Sequence, residues 1–218
     1  MMEKHIFFAQ PIVDINTGKT LKNELLLRVS HQDDWHLPDH FNISLDLQSK
    51  LMNEALQKLD VKNIDLNLTG PQFADEGFLA GLTLFKQNND ILESLTIELT
   101  VAPDLDTLKA VGQQYRKVGI RLVIDDVGSD NRLSEVIDLL PYVDGIKFAI
   151  QNLRATGDVQ AMAIRIQHWK KLADQHQLTF TLEGIETAHD IALAKKLGII
   201  LGQGYHYGKP QQPGANVC

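Results

Sequence analysis

The chain has a single cysteine, Cys218, and it is the last residue. No disulfide can close within the chain and no thiolate metal site can form, which fits a reducing compartment and predicts a cytoplasmic protein. A basic excess is also missing, since the net charge is −7 over 218 residues. That excludes a face binding nucleic-acid polymers non-specifically through phosphate contacts. It leaves room for a small anionic ligand, because bound divalent cations reverse the field locally. Long apolar runs are absent too. No window approaches the ~18 uninterrupted apolar residues of a membrane span. Glu3-Lys4-His5 before a short apolar run lacks the core and cleavage site of a signal peptide. With no low-complexity segment and no linker, one stand-alone domain over residues 1–218 is expected.

What is present is a regular alternation. Residues 5–15 predict a strand, with Pro11 marking an edge or a break. Asn16-Thr17-Gly18-Lys19 reads as a hairpin turn into a second strand over 20–29, antiparallel to the first. Residues 30–42 are polar and read as loop. His36 and His40 have the spacing of ligands on one helix face, but Pro38 between them breaks a helix, so a surface loop is expected. Beyond this, helices are predicted over 46–59, 71–88, 104–118, 131–140, 158–176 and 187–197. Strands are predicted over 64–69, 95–101, 121–127, 145–150, 178–183 and 199–207. Such alternation means parallel βαβ units. A closed (β/α)8 barrel fits, although ~250 residues is the usual size. An open doubly wound sheet is the alternative, weakened by the lack of Gly-x-Gly-x-x-Gly after the first strand.

The strands carry polar residues where apolar ones are expected. These are Glu24 and Arg28, then Asn67, Glu98, the pair Asp125-Asp126, Lys147, Glu183 with Glu186 beyond it, and Gln203. Such residues are poor strand formers, and a charge there is costly if buried unpaired. Any one of them alone is as well explained by a structural ion pair, and Asp-Asp before Gly128 by a solvated turn. Their recurrence on successive strands is different, because barrel strand ends converge on one mouth, where active sites lie. Several carboxylates and an amide suit Mg²⁺ or Mn²⁺ rather than Zn²⁺. A shared Asp pair can bridge two such ions ~4 Å apart for in-line attack on a phosphodiester.

These residues resemble the EAL domain, the cyclic-di-GMP phosphodiesterase family. Glu24-Leu25-Leu26 looks like its Glu-Ala-Leu signature, and Glu24 with Arg28 its Glu-x-Leu-Leu-Arg. Gln10-Pro11-Ile12-Val13-Asp14 resembles its opening strand, Asn67 its strand asparagine and Glu98-Leu99-Thr100 its Glu-x-Thr-Glu. Asp125-Asp126-Val127-Gly128 is similar to Asp-Asp-Phe-Gly, Lys147 to the lysine of Lys-Ile-Asp, and Glu183-Gly184-Ile185-Glu186-Thr187 to Glu-Gly-Val-Glu-Thr. Gln203-Gly204-Tyr205 resembles the closing motif. The ordered set covers nearly the whole chain.

The resemblance implies metal-dependent hydrolysis of cyclic-di-GMP to 5′-pGpG in a barrel whose first strand is antiparallel. It implies Glu24, Asn67, Glu98, Asp125, Asp126 and Glu183 as ligands of two Mg²⁺ or Mn²⁺ ions. Lys147, with Glu183, would position and activate the attacking water. Arg28 would hold a phosphate, while Gln10, Glu186 and Gln203 would orient substrate or ligands. Homodimerisation and a regulatory protein partner are left open.

There are departures. Leu25 stands for the family's alanine, Ala149 for the aspartate of Lys-Ile-Asp, and Val101 for the second glutamate of Glu-x-Thr-Glu, which anchors the loop after the Asp pair. That loop reads Gly128-Ser129-Asp130-Asn131-Arg132-Leu133 instead of Gly-Thr-Gly-Tyr-Ser-Ser. Val101 has no hydrogen-bonding group and no other partner for the loop is evident, so a mobile loop and slow turnover are expected. The segment between Arg28 and Asn67 is short for the family and predicts a reduced substrate wall. The alternative reading is a catalytically inactive EAL domain acting as a cyclic-di-GMP receptor or protein-binding regulator.

Overall fold

The N-terminal hairpin is built around Asp14, whose Oδ1 accepts from Asn16 N at 2.8 Å and Thr17 N at 3.0 Å. It joins β1 (Lys4–Asp14) antiparallel to β2 (Thr20–His31) in this computed structural model, which describes residues 4–31, 34–155 and 161–214. Cys218 and the predicted helix start at Asp158 lie outside those residues. The expected loop over 30–42 needs correction. β2 runs on to His31 and a short β3 (Asp34–His36) folds back on it, so His36 sits on an edge strand.

After α1 (Leu45–Leu56) come β4 (Asn63–Leu68), α2 (Gly70–Ala74), α3 (Glu76–Gln87) and β5 (Ser94–Leu99). The single helix predicted over 71–88 is two, because Asp75 ends α2 in extended backbone and caps α3, accepting from Phe78 N at 2.8 Å. Next, α4 (Leu105–Thr107) runs through a π-helical turn, Leu108–Gly112, into α5 (Gln113–Lys117), and Gly119 follows at φ 75°. β6 (Arg121–Ile124) precedes α6 (Leu133–Val136), far shorter than the helix predicted over 131–140. Leu140–Tyr142 forms a 3-10 turn around Pro141 instead.

β7 (Gly145–Ala149) leads directly into α7 (Ile150–Ala155), which the sequence reading missed. α8 (Met162–Gln175), β8 (Thr179–Glu183), α9 (Ala188–Lys196) and β9 (Leu201–Gln203) complete the order. β9 is shorter than predicted because Gly204, at φ 155°, turns the chain away.

β1, β2 and β4 to β9 close into a ring of eight, with β3 outside it on the edge of β2. β1 is antiparallel to both its neighbours, and every other pair in the ring is parallel. This is the closed barrel, not the doubly wound sheet. Alternation along each strand then sorts the side chains. Ile64, Leu66 and Leu68 of β4, and Leu95, Ile97 and Leu99 of β5, are buried in the apolar layer shared with the helices. Burying each such side chain contributes about 1.5–3 kcal/mol. The opposite parity, Asp65 and Asn67 on β4 and Thr96 and Glu98 on β5, points into the barrel, where these residues meet Lys22, Glu24 and Lys147.

Candidate active site

The upper interior is a polar plug centred on Lys147 of β7. Its ammonium lies 3.0 Å from Glu24 of β2, 2.9 Å from Glu98 of β5 and 2.7 Å from Glu183 of β8. Lys147 is 1% exposed and Glu98 fully buried. Asn67 Nδ2 donates to Glu24 Oε1 at 2.8 Å, and Gln203 Nε2 donates to Glu24 Oε2 at 2.6 Å. Gln203 Nε2 also reaches Gln10 Oε1 at 3.2 Å, and Gln10 Nε2 donates to Gly208 O at 3.1 Å. The Asp pair lies just beyond β6. Asp125 N donates to Leu99 O and Val127 N to Lys147 O, which fixes the turn between two neighbouring strands. Asp126 adopts φ 48°, a left-handed conformation uncommon outside glycine that aspartate tolerates better than most residues. Asp125, Asp126 and Glu183 bring carboxylate oxygens within 4.8 Å of one another.

Five carboxyls thus converge on one ammonium, and their charge states separate. Burial pushes Glu24 up, but Lys147 and the bonds from Gln203 and Asn67 outweigh it, so its carboxyl stays below the usual range. Burial and the charge on Glu24 hold Glu98 well above that range. Burial and Asp125 do the same to Glu183. Burial raises Asp125, and burial with the charges on Asp125 and Asp130 moves Asp126 to about 6. Burial alone would depress Lys147; Glu183, Glu24 and Glu98 override it and keep the amine protonated. Excess negative charge, oxygen-only donors and the spacing of Asp125, Asp126 and Glu183 fit a hard divalent cation. The six predicted ligands therefore divide. Asp125, Asp126 and Glu183 stand at cation spacing, with Glu183 also paired to Lys147 at 2.7 Å, whereas Glu24, Asn67 and Glu98 lie outside that trio and bond to Lys147 or to one another.

Two clefts meet at Glu24, Leu26 and Asp125. One, of 380 Å³, is polar and lined by Asp126, Glu183, Glu186, Gln203 and Tyr205. The other, of 360 Å³, is largely apolar, with Phe7, Leu37, Phe41 and Ile43 beside Arg28 and Gln48. Arg28 is half-buried at its rim, donating to Leu27 O at 2.8 Å, with its guanidinium 5.7 Å from the Phe8 ring centre. The short segment before Asn67 thus supplies a wall, although Leu37 and Phe41 leave it 65% and 49% exposed. Glu186 is exposed, and its backbone N–H is held by Asp190, which Arg154 anchors while also donating to Gly184 O at 2.8 Å.

Sequence reasoning missed a second polar layer below the first. Lys22 Nζ lies 3.2 Å from Asp65 and from Thr96 Oγ1. The signal was available, since each residue sits two positions before a named one (Glu24, Asn67, Glu98) and shares its face. It also missed Asn131. This side chain, 3% exposed, accepts from Ala102 N at 2.9 Å and donates to Thr100 O at 3.0 Å and Asp125 O at 2.6 Å. The expectation of an untied loop is corrected here. Val101 is indeed no anchor, being 70% exposed, but Asn131 supplies the tie from within the loop.

Fold and site together define a barrel with an acidic, cation-ready mouth. The EAL domain family model matches residues 3–210, and the chain belongs to that family. It is 23% identical over 189 residues to a cyclic di-GMP phosphodiesterase, PdeA, of Borreliella burgdorferi, covering 81% of this chain and 28% of that protein. It is 26% identical over 230 residues to a probable cyclic di-GMP phosphodiesterase, also called PdeA, of Escherichia coli, covering 94% of this chain and 30% of that protein. The chain therefore spans less than a third of the length of these two relatives. Among solved structures it is similar to the EAL enzyme Bd1971 bound to cAMP and cyclic-di-GMP, with TM-score 0.80, 23% identity, and coverage of 96% of this chain and 63% of that one. The PaMucR phosphodiesterase in complex with c-di-GMP gives TM-score 0.80 at 22% identity, covering 95% and 92%. A standalone EAL protein of Vibrio cholerae, c-di-GMP bound, gives 0.74 at 20%, covering 97% and 94%. At these identities the structures establish the fold. Among the described residues, no helix is long and apolar enough to cross a membrane.

Proposed function

We propose that the protein hydrolyses cyclic-di-GMP to 5′-pGpG with two Mg²⁺ or Mn²⁺ ions. The observation that carries this reading is the meeting of the polar and apolar clefts at Glu24 and Asp125, beside the cation-spaced trio. A ligand with a base at each end and phosphate between them matches that division. Asp125, Asp126 and Glu183 would hold the cations, and Glu24, Asn67 and Glu98 would complete the set once their oxygens were released from Lys147. Bound divalent cations polarise a phosphodiester and lower the pKa of water.

The chain's own groups do the rest. Arg28 holds a phosphate oxygen through its donor fork. Lys147 donates to the attacking water and orients it for in-line approach. A base role for it would require bound cations to offset Glu183, Glu24, Glu98 and Asp125, the four acids that otherwise keep it protonated. Water oxygen bonds to phosphorus, the bond to the 3′ oxygen breaks, and that oxygen takes a proton, leaving a linear dinucleotide with a 5′ phosphate. Gln203 and Gln10 hold Glu24 in place.

A second reading, a receptor without turnover, is favoured by Ala149. It stands at the end of β7 in register with Glu183 and offers no polar group there. Chromatography of cyclic-di-GMP incubated with Mn²⁺, beside equilibrium binding in Ca²⁺, separates the two. The phosphodiesterase reading expects 5′-pGpG in Mn²⁺, none with excess chelator, and binding with little turnover in Ca²⁺. Tight binding in Ca²⁺ with no product in Mn²⁺ selects the receptor.

A further inference from the structure

We propose that Asn131 is a positioning residue for the Asp125-Asp126 pair, fixing the carboxylates at cation spacing; this rests on reading the acidic mouth as a metal site. The family resemblance assigns this task to a glutamate at the position of Val101, where this chain has an exposed apolar residue. Asn131 works from the opposite side. Its amide spans from the segment after β5, at Thr100 O and Ala102 N, to Asp125 O at the end of β6. Its backbone closes the turn it belongs to, donating to Asp126 O at 3.2 Å and accepting from Gly128 N at 2.8 Å. Both faces of the Asp pair are therefore pinned by one residue.

The rest of the loop is fitted to that geometry. Asn152 Nδ2 donates to Asp126 Oδ1 and to Ser129 Oγ, each at 2.9 Å. Arg165 Nη2 donates to Gly128 O at 2.7 Å. Gly128, at φ 85°, lies where a Cβ would come within 2.6 Å of Trp169 Nε1 and 2.9 Å of the Phe148 ring, so the close approach of the turn to α8 admits only glycine there. These bonds hold Asp126 in its left-handed conformation.

Only an amide meets the need at 131. Asp keeps the acceptor for Ala102 N but sets a carboxylate against two carbonyl oxygens. Ala leaves the buried Asp125 carbonyl without this donor and releases Thr100 O. In either case the pair loses its fixed spacing before the barrel loses its core. Partners that orient metal ligands typically change metal affinity 10–100-fold.

The test is the Mn²⁺ dissociation constant, from the electron paramagnetic resonance signal of free Mn²⁺, for wild type, Asn131→Ala and Asn131→Asp. Circular dichroism at the same temperature confirms the fold. Folded variants should bind Mn²⁺ at least ~10-fold more weakly. Turnover of cyclic-di-GMP lost at low Mn²⁺ should return as Mn²⁺ is raised, which a purely structural staple would not produce. Folded variants with wild-type Mn²⁺ affinity overturn the proposal even if their Tm falls, and so does failure of both variants to fold. The binding comparison needs no substrate. A wild type that holds Mn²⁺ without hydrolysing cyclic-di-GMP overturns the phosphodiesterase reading, while a tenfold loss in the variants still supports the Asn131 tie. A wild type that binds no Mn²⁺ overturns both.

Discussion

Lys147→Met removes the ammonium facing Glu24, Glu98 and Glu183 and keeps most of the side-chain volume. The three contacts, at 3.0, 2.9 and 2.7 Å, are almost fully shielded from solvent. Removing one partner of a buried ion pair costs about 3–5 kcal/mol, because the other charge stays buried. The loss does not triple with three acids, since Glu98 and Glu183 already sit well above the usual carboxylate range and take up protons in place of the ammonium. A domain of this size loses about 2–4 °C of Tm per kcal/mol, so the metal-free Tm at pH 8 should fall by about 6–20 °C. Carboxyls whose pKa is raised by folding oppose folding when ionised, and that penalty is relieved as pH falls through the folded pKa. The drop should therefore shrink at pH 5. With saturating Mn²⁺, turnover should fall at least ~10²-fold, because a group at the reacting centre is gone. Differential scanning fluorimetry at both pH values and a cyclic-di-GMP assay measure these effects. A Tm at pH 8 within about 2 °C of wild type would show that the ammonium does not offset these charges. Unchanged turnover would make Lys147 a structural strand residue.

Mn²⁺ should raise Tm more at pH 8 than at pH 5. Asp126, moved from 3.8 to about 6, is ionised only at the higher pH, so equal shifts at both would contradict its place in the site. That displacement corresponds to about 3 kcal/mol at full burial and about half that for its partly solvated position. Asp125→Asn should raise the metal-free Tm at pH 8 by removing one of the crowded charges, yet weaken Mn²⁺ binding at least ~10-fold by calorimetry. A fall in both would assign Asp125 to structure. Val101→Glu should change turnover by less than about 2-fold, within the range of surface substitutions, because Asn131 already occupies the tie. A large gain in turnover would show that the loop lacks an anchor.

The barrel was legible because its alternation is strong. Each helix–strand change is marked by a periodicity switch, and each polar strand residue stood out against apolar neighbours. The antiparallel β1 followed from a short Asn-Thr-Gly-Lys turn that allows only a hairpin. What failed was local. The polar composition of 30–42 hid the end of β2 and the β3 pairing, which tertiary register supplies. Asp75 reads as an ordinary polar helix residue until its carboxylate caps Phe78 N. The interior layer of Lys22, Asp65 and Thr96 needed only the i−2 rule, whereas Asn131 had no sequence signal. Its role depends on three backbone partners, two of them about thirty residues upstream, brought together by parallel β5 and β6.

The most direct test of metal-dependent phosphodiester hydrolysis is a single-turnover reaction of the full chain with cyclic-di-GMP and Mn²⁺ in ¹⁸O-labelled water, read by mass spectrometry. The site predicts 5′-pGpG carrying one ¹⁸O in its 5′ phosphate, and no product when a chelator is present. Bound, unconverted cyclic-di-GMP after prolonged incubation, or product formed in excess chelator, would contradict it.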